Sequence, residues 1–120
     1  MNTSGNIILV KTKAFSLRAI RMYQHLSKEH KEFSMSTQFL RSATSIGANA
    51  READSAQSKA DFIAKFSISL KEANESQYWI ELLYEGGYIT DEEFNSMNKD
   101  CKEIIAIITS ILKTSRNNYF

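Results

Sequence analysis

At 120 residues, with 42% apolar and 24% charged side chains, the chain is sized for one domain with a real core. A net charge of +1 argues against a strong non-specific polyanion binder. No run of about 18 apolar residues offers a membrane span, and the first residues lack the charged-then-apolar order of a secretory signal. The single cysteine, Cys101, has no internal disulfide partner and fits a reducing cytoplasm. With no Pro and four Gly, nothing interrupts long helices, and turns fall to Gly, Asn and Ser.

The first helix is expected over residues 6–28. Phe15, Ala19, Met22 and Leu26 repeat at helical period and mark one face for the core. The polar string from Ser27 to Glu32 ends it in a frayed terminus. A second helix is expected over 36–53, where Phe39, Ala43, Ile46, Ala50 and Ala53 form the stripe. Ala43, Gly47 and Ala50 are small enough to admit a neighbouring backbone. Gly47 costs about 1 kcal/mol against Ala inside a helix, and close packing is the expected compensation.

The third helix is expected over 59–85. Ser58 reads as its N-cap with Asp61 three residues on, and Gly86-Gly87 supply the left-handed stop. Its stripe is Phe62, Phe66, Leu70, Ala73, Ile80 and Tyr84. The fourth is expected over 91–114, opened by the capping box Thr90-Asp91-Glu92-Glu93. Phe94, Met97, Cys101, Ile104, Ile108 and Ile111 follow at strict coiled-coil spacing. The tail from 115 to 120 is expected to fray. Four helices joined by short connections must alternate in direction. The expected architecture is therefore all-α, a single antiparallel up-down-up-down four-helix bundle.

A helical wheel leaves apolar residues off these stripes. On the third helix Ile68, Trp79 and Leu82 fall outside the core face, together with Glu72 and Glu75. On the first, Val10, Ala14 and Leu17 do the same. On the second, Arg41, Ser45, Asn49 and Glu52 line the side opposite the core. Either the core face is wide and takes these residues in, or they form a second face for another copy, with Trp79, a large aromatic flanked by polar groups, as its anchor. In that interface Arg41 meets Glu72 or Glu75, a pair that sets register more than it stabilises.

Charge is uneven along the chain. Residues 1–31 hold Lys11, Lys13, Arg18, Arg21, Lys28 and Lys31 against Glu29, while 61–85 hold Asp61, Glu72, Glu75, Glu81 and Glu85 against Lys65 and Lys71. Either neighbouring helices complement each other, or Lys11, Lys13, Arg18 and Arg21 form a basic surface for RNA or DNA.

The sequence holds no recognisable catalytic constellation. A di-iron bundle needs paired Glu-x-x-His motifs, but no His follows residue 30, and Glu72-x-x-Glu75 stands alone. His25 and His30 belong to no paired motif. Cys101 sits on a core stripe, as a structural thiol would. Gly86-Gly87 lack the spacing and the Lys of a phosphate loop. The chain reads as a non-enzyme without metal or cofactor.

Three segments carry a family resemblance: FSLRAIRMY over 15–23, LRSATSIGANAREADSAQSKADF over 40–62, and SLKEANESQYWIELLYEGGYI over 69–89. They resemble the bacterial four-helix-bundle proteins first noticed as reading frames inside intervening sequences of 23S ribosomal RNA genes. Many members have Pro after the Ser-Ile pair, where this chain has Gly47. The resemblance implies a homo-oligomer, a pentameric ring of bundles. A related protein, the accessory variability protein of diversity-generating retroelements, binds a reverse transcriptase and nucleic acid through a basic ring surface. The positions carried over are Arg41, Asn49 and Glu52. The expected function is a self-assembling interaction scaffold with a protein partner; the alternative is an accessory protein that binds RNA or DNA through the first helix.

Overall fold

The computed structural model describes residues 3–117, with side chains from Ile7 onward. Four helices follow in order: α1 (Thr3–His30), α2 (Ser34–Asp54), α3 (Lys59–Glu85) and α4 (Asp91–Asn117). They pack as a rod of 52 × 22 × 19 Å. Sequential neighbours pack together and α4 returns to α1, while α1 and α3 sit on one diagonal and α2 and α4 on the other. This is the expected antiparallel bundle.

The helix ends follow local chemistry. Thr90 and Glu93 close their capping box in both directions: the Glu93 amide donates to Thr90 Oγ1 at 3.1 Å and the Thr90 amide to Glu93 Oε1 at 2.8 Å. Ser58 Oγ accepts the Asp61 amide at 3.0 Å. At the end of α3, Gly87 takes φ +84°, and the Gly87 and Tyr88 amides return to Tyr84 O and Leu83 O. α4 runs past the expected end at residue 114 to Asn117, and 118–120 lie outside the described residues.

The polar string after Leu26 is ordered where fraying was expected. α1 continues to His30, Lys31 turns the chain at φ 55°, and the Glu32 amide reaches back to Leu26 O at 3.1 Å. Buried Glu32 then caps α2 from outside it: its carboxylate accepts the amides of Ser34 and Met35 at 3.1 Å and Ser36 at 2.8 Å. An anionic acceptor over three orphan N–H groups satisfies them and complements the helix dipole. Glu32→Ala should lower the unfolding free energy by about 1–2 kcal/mol, the usual cost of a lost helix cap. Urea denaturation followed by circular dichroism checks it; an unchanged midpoint would mean water satisfies the amides as well.

The core holds Ile8, Phe15, Ala19, Leu26, Phe39, Ala43, Ile46, Ala50, Phe66, Ala73, Ile80, Leu83, Met97, Cys101, Ile104 and Ile108, all buried. On α4 the last core position is Leu112, with Ile111 half-buried beside it. A helix at 3.6 residues per turn drifts away from a strict 3.5-residue repeat, which shifts the stripe by one residue at its far end. The α2–α3 seam is built from small residues. Ser69 Oγ donates to Ile46 O at 2.8 Å, and Ser76 Oγ lies 2.9 Å from both Ser42 Oγ and Glu72 O. Their short hydroxyls let two backbones come close while each polar atom keeps a partner.

Gly47 does not carry the expected role. A Cβ there would meet Thr12 Oγ1 at 3.4 Å and Ser16 Oγ at 3.5 Å, ordinary contact distances, so close packing does not demand glycine. Gly47 instead lines a groove of about 220 Å³ between α1 and α2, edged by Lys13 and Arg51.

Candidate functional site

The small-residue seam decides where the chemistry of α3 points. Because Ser69, Ala73 and Ser76 admit α2 closely, the buried face of α3 is turned toward Ser69, Glu72, Ser76 and Leu83. Glu72, placed off the core by the wheel, is therefore buried, and Trp79 and Leu82 are half-buried, with Trp79 packed against the core. Of the expected apolar patch only Ile68 stays exposed, at 42%, and Tyr78 joins it at 54%.

Arg41 meets its expected acids inside one chain rather than across two. Its Nη1 donates to Glu72 Oε2 at 3.1 Å and its Nη2 to Glu75 Oε2. The same Glu75 oxygen accepts the Trp79 indole N–H at 3.0 Å. Ser45 and Asn49 continue the α2 edge half-buried, the Asn49 amide bonded to Ser45 O, and Glu52 pairs with Lys65 at 3.2 Å. These residues form one polar strip that locks α2 to α3.

The Trp79 indole, ahead of the Arg41 guanidinium, holds the Glu75 carboxyl below its ordinary range, against the opposing pull of burial. A carboxyl depressed in the folded state stabilises the fold above its unfolded pKa, and that contribution is lost as pH falls through the folded value. Trp79 is the only tryptophan, so its emission should change in an acid titration below pH 4.5, the ordinary value, and Glu75→Gln should abolish that change. The stability cost of Glu75→Gln should stay within about 1 kcal/mol, because the pair is partly solvated. An unchanged acid transition in the variant would assign it to another carboxyl.

The four cations expected to form a basic surface do not all meet at one place: Arg18 and Arg21 line one groove with His25 and Glu93, while Lys13 and Lys11 line two others. Lys11 Nζ pairs with Glu103 at 2.6 Å, and Arg18 binds Asp100 and, at 2.8 Å, Ser96 Oγ. Both acids belong to α4, so complementation between neighbouring helices accounts for these two. Lys13 and Arg21 are exposed and make no ion pair among the described residues.

The outer face of α1 is the more conspicuous surface. Ile7 (41% exposed), Val10 (69%), Leu17 (46%) and Ile20 (39%) stand on it, with exposed Ala14 between them. The wheel singled out Val10, Ala14 and Leu17; Ile7 and Ile20 complete the stripe, and the same heptad count would have found Ile7.

A model of the 23S rRNA-intervening sequence proteins matches residues 5–110. The chain belongs to that family. A member from Bacteroides thetaiotaomicron VPI-5482, a protein of unknown function from the S23 ribosomal protein family, is similar in sequence and fold. It shares 52% identity at a TM-score of 0.92, over 93% of this chain and 100% of that one. No curated protein matches. In this family member, no group of three His, Cys, Asp or Glu among the described residues is arranged to hold a metal. No helix among them is long and apolar enough to cross a membrane. Cys101 is buried and donates to Ala73 O at 3.3 Å, the placement of a structural thiol.

Proposed function

We propose that this family member is a non-enzymatic scaffold that works as a homo-oligomer, a pentameric ring on the family resemblance, and presents an assembled surface to a protein partner. The exposed apolar stripe on α1 carries the reading. Isolated exposed apolar residues are ordinary, but Ile7, Val10, Ala14, Leu17 and Ile20 run along one helix face with no other described element of the chain over them. Burying such a stripe against a like surface gains about 25 cal/mol per Å² before the costs of association.

Nucleic-acid binding through α1 has less behind it. Internal ion pairs take Lys11 and Arg18, leaving Lys13 and Arg21 of the four. Two phosphate contacts supply little affinity at physiological salt.

Light scattering on the purified protein at tens of micromolar tests the proposal. The expected mass is a multiple of 13.7 kDa, five-fold for the ring. A monomer at that concentration would remove the basis of the scaffold reading.

A further inference from the structure

We infer that assembly is head-to-tail, the outer face of α1 in one copy docking on the outer face of α3 in the next. This inference rests on the self-assembly proposed above and names the two surfaces involved. Three observations carry it.

First, α3 has an outer stripe of its own. Ala64, Ile68, Lys71, Glu75, Tyr78, Leu82 and Glu85 repeat at helical period, with Ile68 and Tyr78 exposed. It mirrors the α1 stripe of Ile7, Val10, Ala14, Leu17, Arg21, Gln24 and Lys28. Because α1 and α3 lie on one diagonal, the two stripes face away from each other and cannot cover one another within a chain. Two different patches on opposite sides of a protomer make a heterologous contact, which propagates into a ring when its rotation closes.

Second, the charges left over are complementary. After the internal ion pairs, α1 keeps Lys13, Arg21, Lys28 and Glu29 exposed, and α3 keeps Lys71, Glu81 and Glu85 exposed, so the excess is basic on α1 and acidic on α3. Ion pairs to α4 and α2 neutralise only part of the sequence imbalance between these segments, and α1 and α3 are not neighbours that could neutralise the rest. An interface between copies is where it is neutralised.

Third, the levels match. Thr12 and Ser16 lie beside Gly47 and Ala43, Ser69 and Ser76 beside Ile46 and Ser42, and on the other side Lys11 meets Glu103 while Cys101 meets Ala73. These contacts place Val10 at about the height of Ile68, Leu17 near Tyr78, Arg21 near Glu81 and Lys28 near Glu85. α1 and α3 also run in the same direction. Two copies side by side, unshifted along the rod, therefore set apolar against apolar and, toward the C-terminal ends of the two helices, Arg21 and Lys28 against Glu81 and Glu85, with Lys13 beside Lys71 the one like-charged pair.

Two double variants test the inference: Val10→Asp with Leu17→Asp, and Ile68→Asp with Tyr78→Asp. All four side chains are exposed, so each variant should keep its helical signal and cooperative melting; Gln at the same positions is the milder pair if either does not. Masses are read by light scattering for the wild type, each variant alone, and their equimolar mixture. The expected result is an assembled wild type, two monomeric variants, and a mixture that forms a 1:1 dimer and stops, because each partner contributes one intact face. If the α1 variant is monomeric while the α3 variant stays assembled and ignores it, the contact is α1 on α1, and the inference falls while self-assembly stands. Full assembly of both variants alone also overturns it, since a third surface must then be responsible. A monomeric wild type overturns the self-assembly proposal and this inference together.

Discussion

Phe39→Ala should lower the unfolding free energy by about 3–5 kcal/mol, the largest single-site loss expected in this bundle. Phe39 is fully buried, and its ring stands edge-on to Phe15 with centroids 6.0 Å apart and planes at 82°. The substitution removes the transferred apolar area, the edge-to-face contact and the packing of everything that touched the ring. The surrounding side chains come from stiff helices that relax only in part, so a cavity remains and adds its own cost. Small domains have about 5–15 kcal/mol in all, so the variant should be near its unfolding threshold at room temperature. Urea denaturation should show a lower midpoint with an unchanged slope. Gln38→Ala, one residue away and exposed, serves as the control and should shift stability by no more than about 0.5 kcal/mol. A loss below about 1.5 kcal/mol for Phe39→Ala would mean that the helices collapse onto the vacancy and that the α1–α2 seam is softer than its packing implies.

The Cys101 thiol should be almost inert in the folded protein. Burial, with a smaller effect from the neighbouring Asp100 carboxylate, pushes its pKa up to about 12. At neutral pH that leaves a thiolate fraction about three orders of magnitude below that of a free cysteine. The sulfur is also fully enclosed, so a reagent must wait for an opening of the bundle. Labelling by an aromatic disulfide reagent should therefore be at least about a thousandfold slower in buffer than in denaturing urea. Stoichiometric labelling of native protein within minutes would show that the α3–α4 seam opens readily. Because Phe39→Ala destabilises the fold globally, it should speed labelling in proportion if global unfolding is the route.

Among the described residues no group of three His, Cys, Asp or Glu is arranged to hold a metal. Several of the chain's charged and hydroxyl groups hold helices together: Arg41 with Glu72 and Glu75, Lys11 with Glu103, Arg18 with Asp100, and the serines of the α2–α3 seam with each other and with backbone carbonyls. Two long helix faces are left with apolar residues in water. That distribution is what an assembling protein needs, and it directs experiment to mass and partner before activity.

Periodicity made the helices legible. α2 is the clearest case: all five of its predicted stripe residues are buried, because Phe39, Ala43, Ile46, Ala50 and Ala53 leave the helix one way to sit. Caps written as residue pairs, Thr90 with Glu93 and Ser58 with Asp61, were equally readable, since each depends on groups within three residues. The cap supplied by Glu32 was not. It depends on a left-handed turn at Lys31 that no glycine announces.

The limits lie where a residue's environment is set by a different helix. Hydropathy placed Glu72 and Trp79 on an outward face, but the rotation of α3 is set by how near α2 can come. That is decided by Ser42, Ser69 and Ser76, residues a hydropathy count treats as polar. The partners of Lys11 and Arg18 were equally hidden, because which acids stand opposite depends on the order of helices around the bundle. The number of helices, their alternation and most of their core faces were thus determined locally, by spacing and by caps. The rotation of each helix, the assignment of its charges and the identity of its uncovered face were decided only by the tertiary structure. Those properties come from the distance of closest approach between two backbones, which no single segment contains.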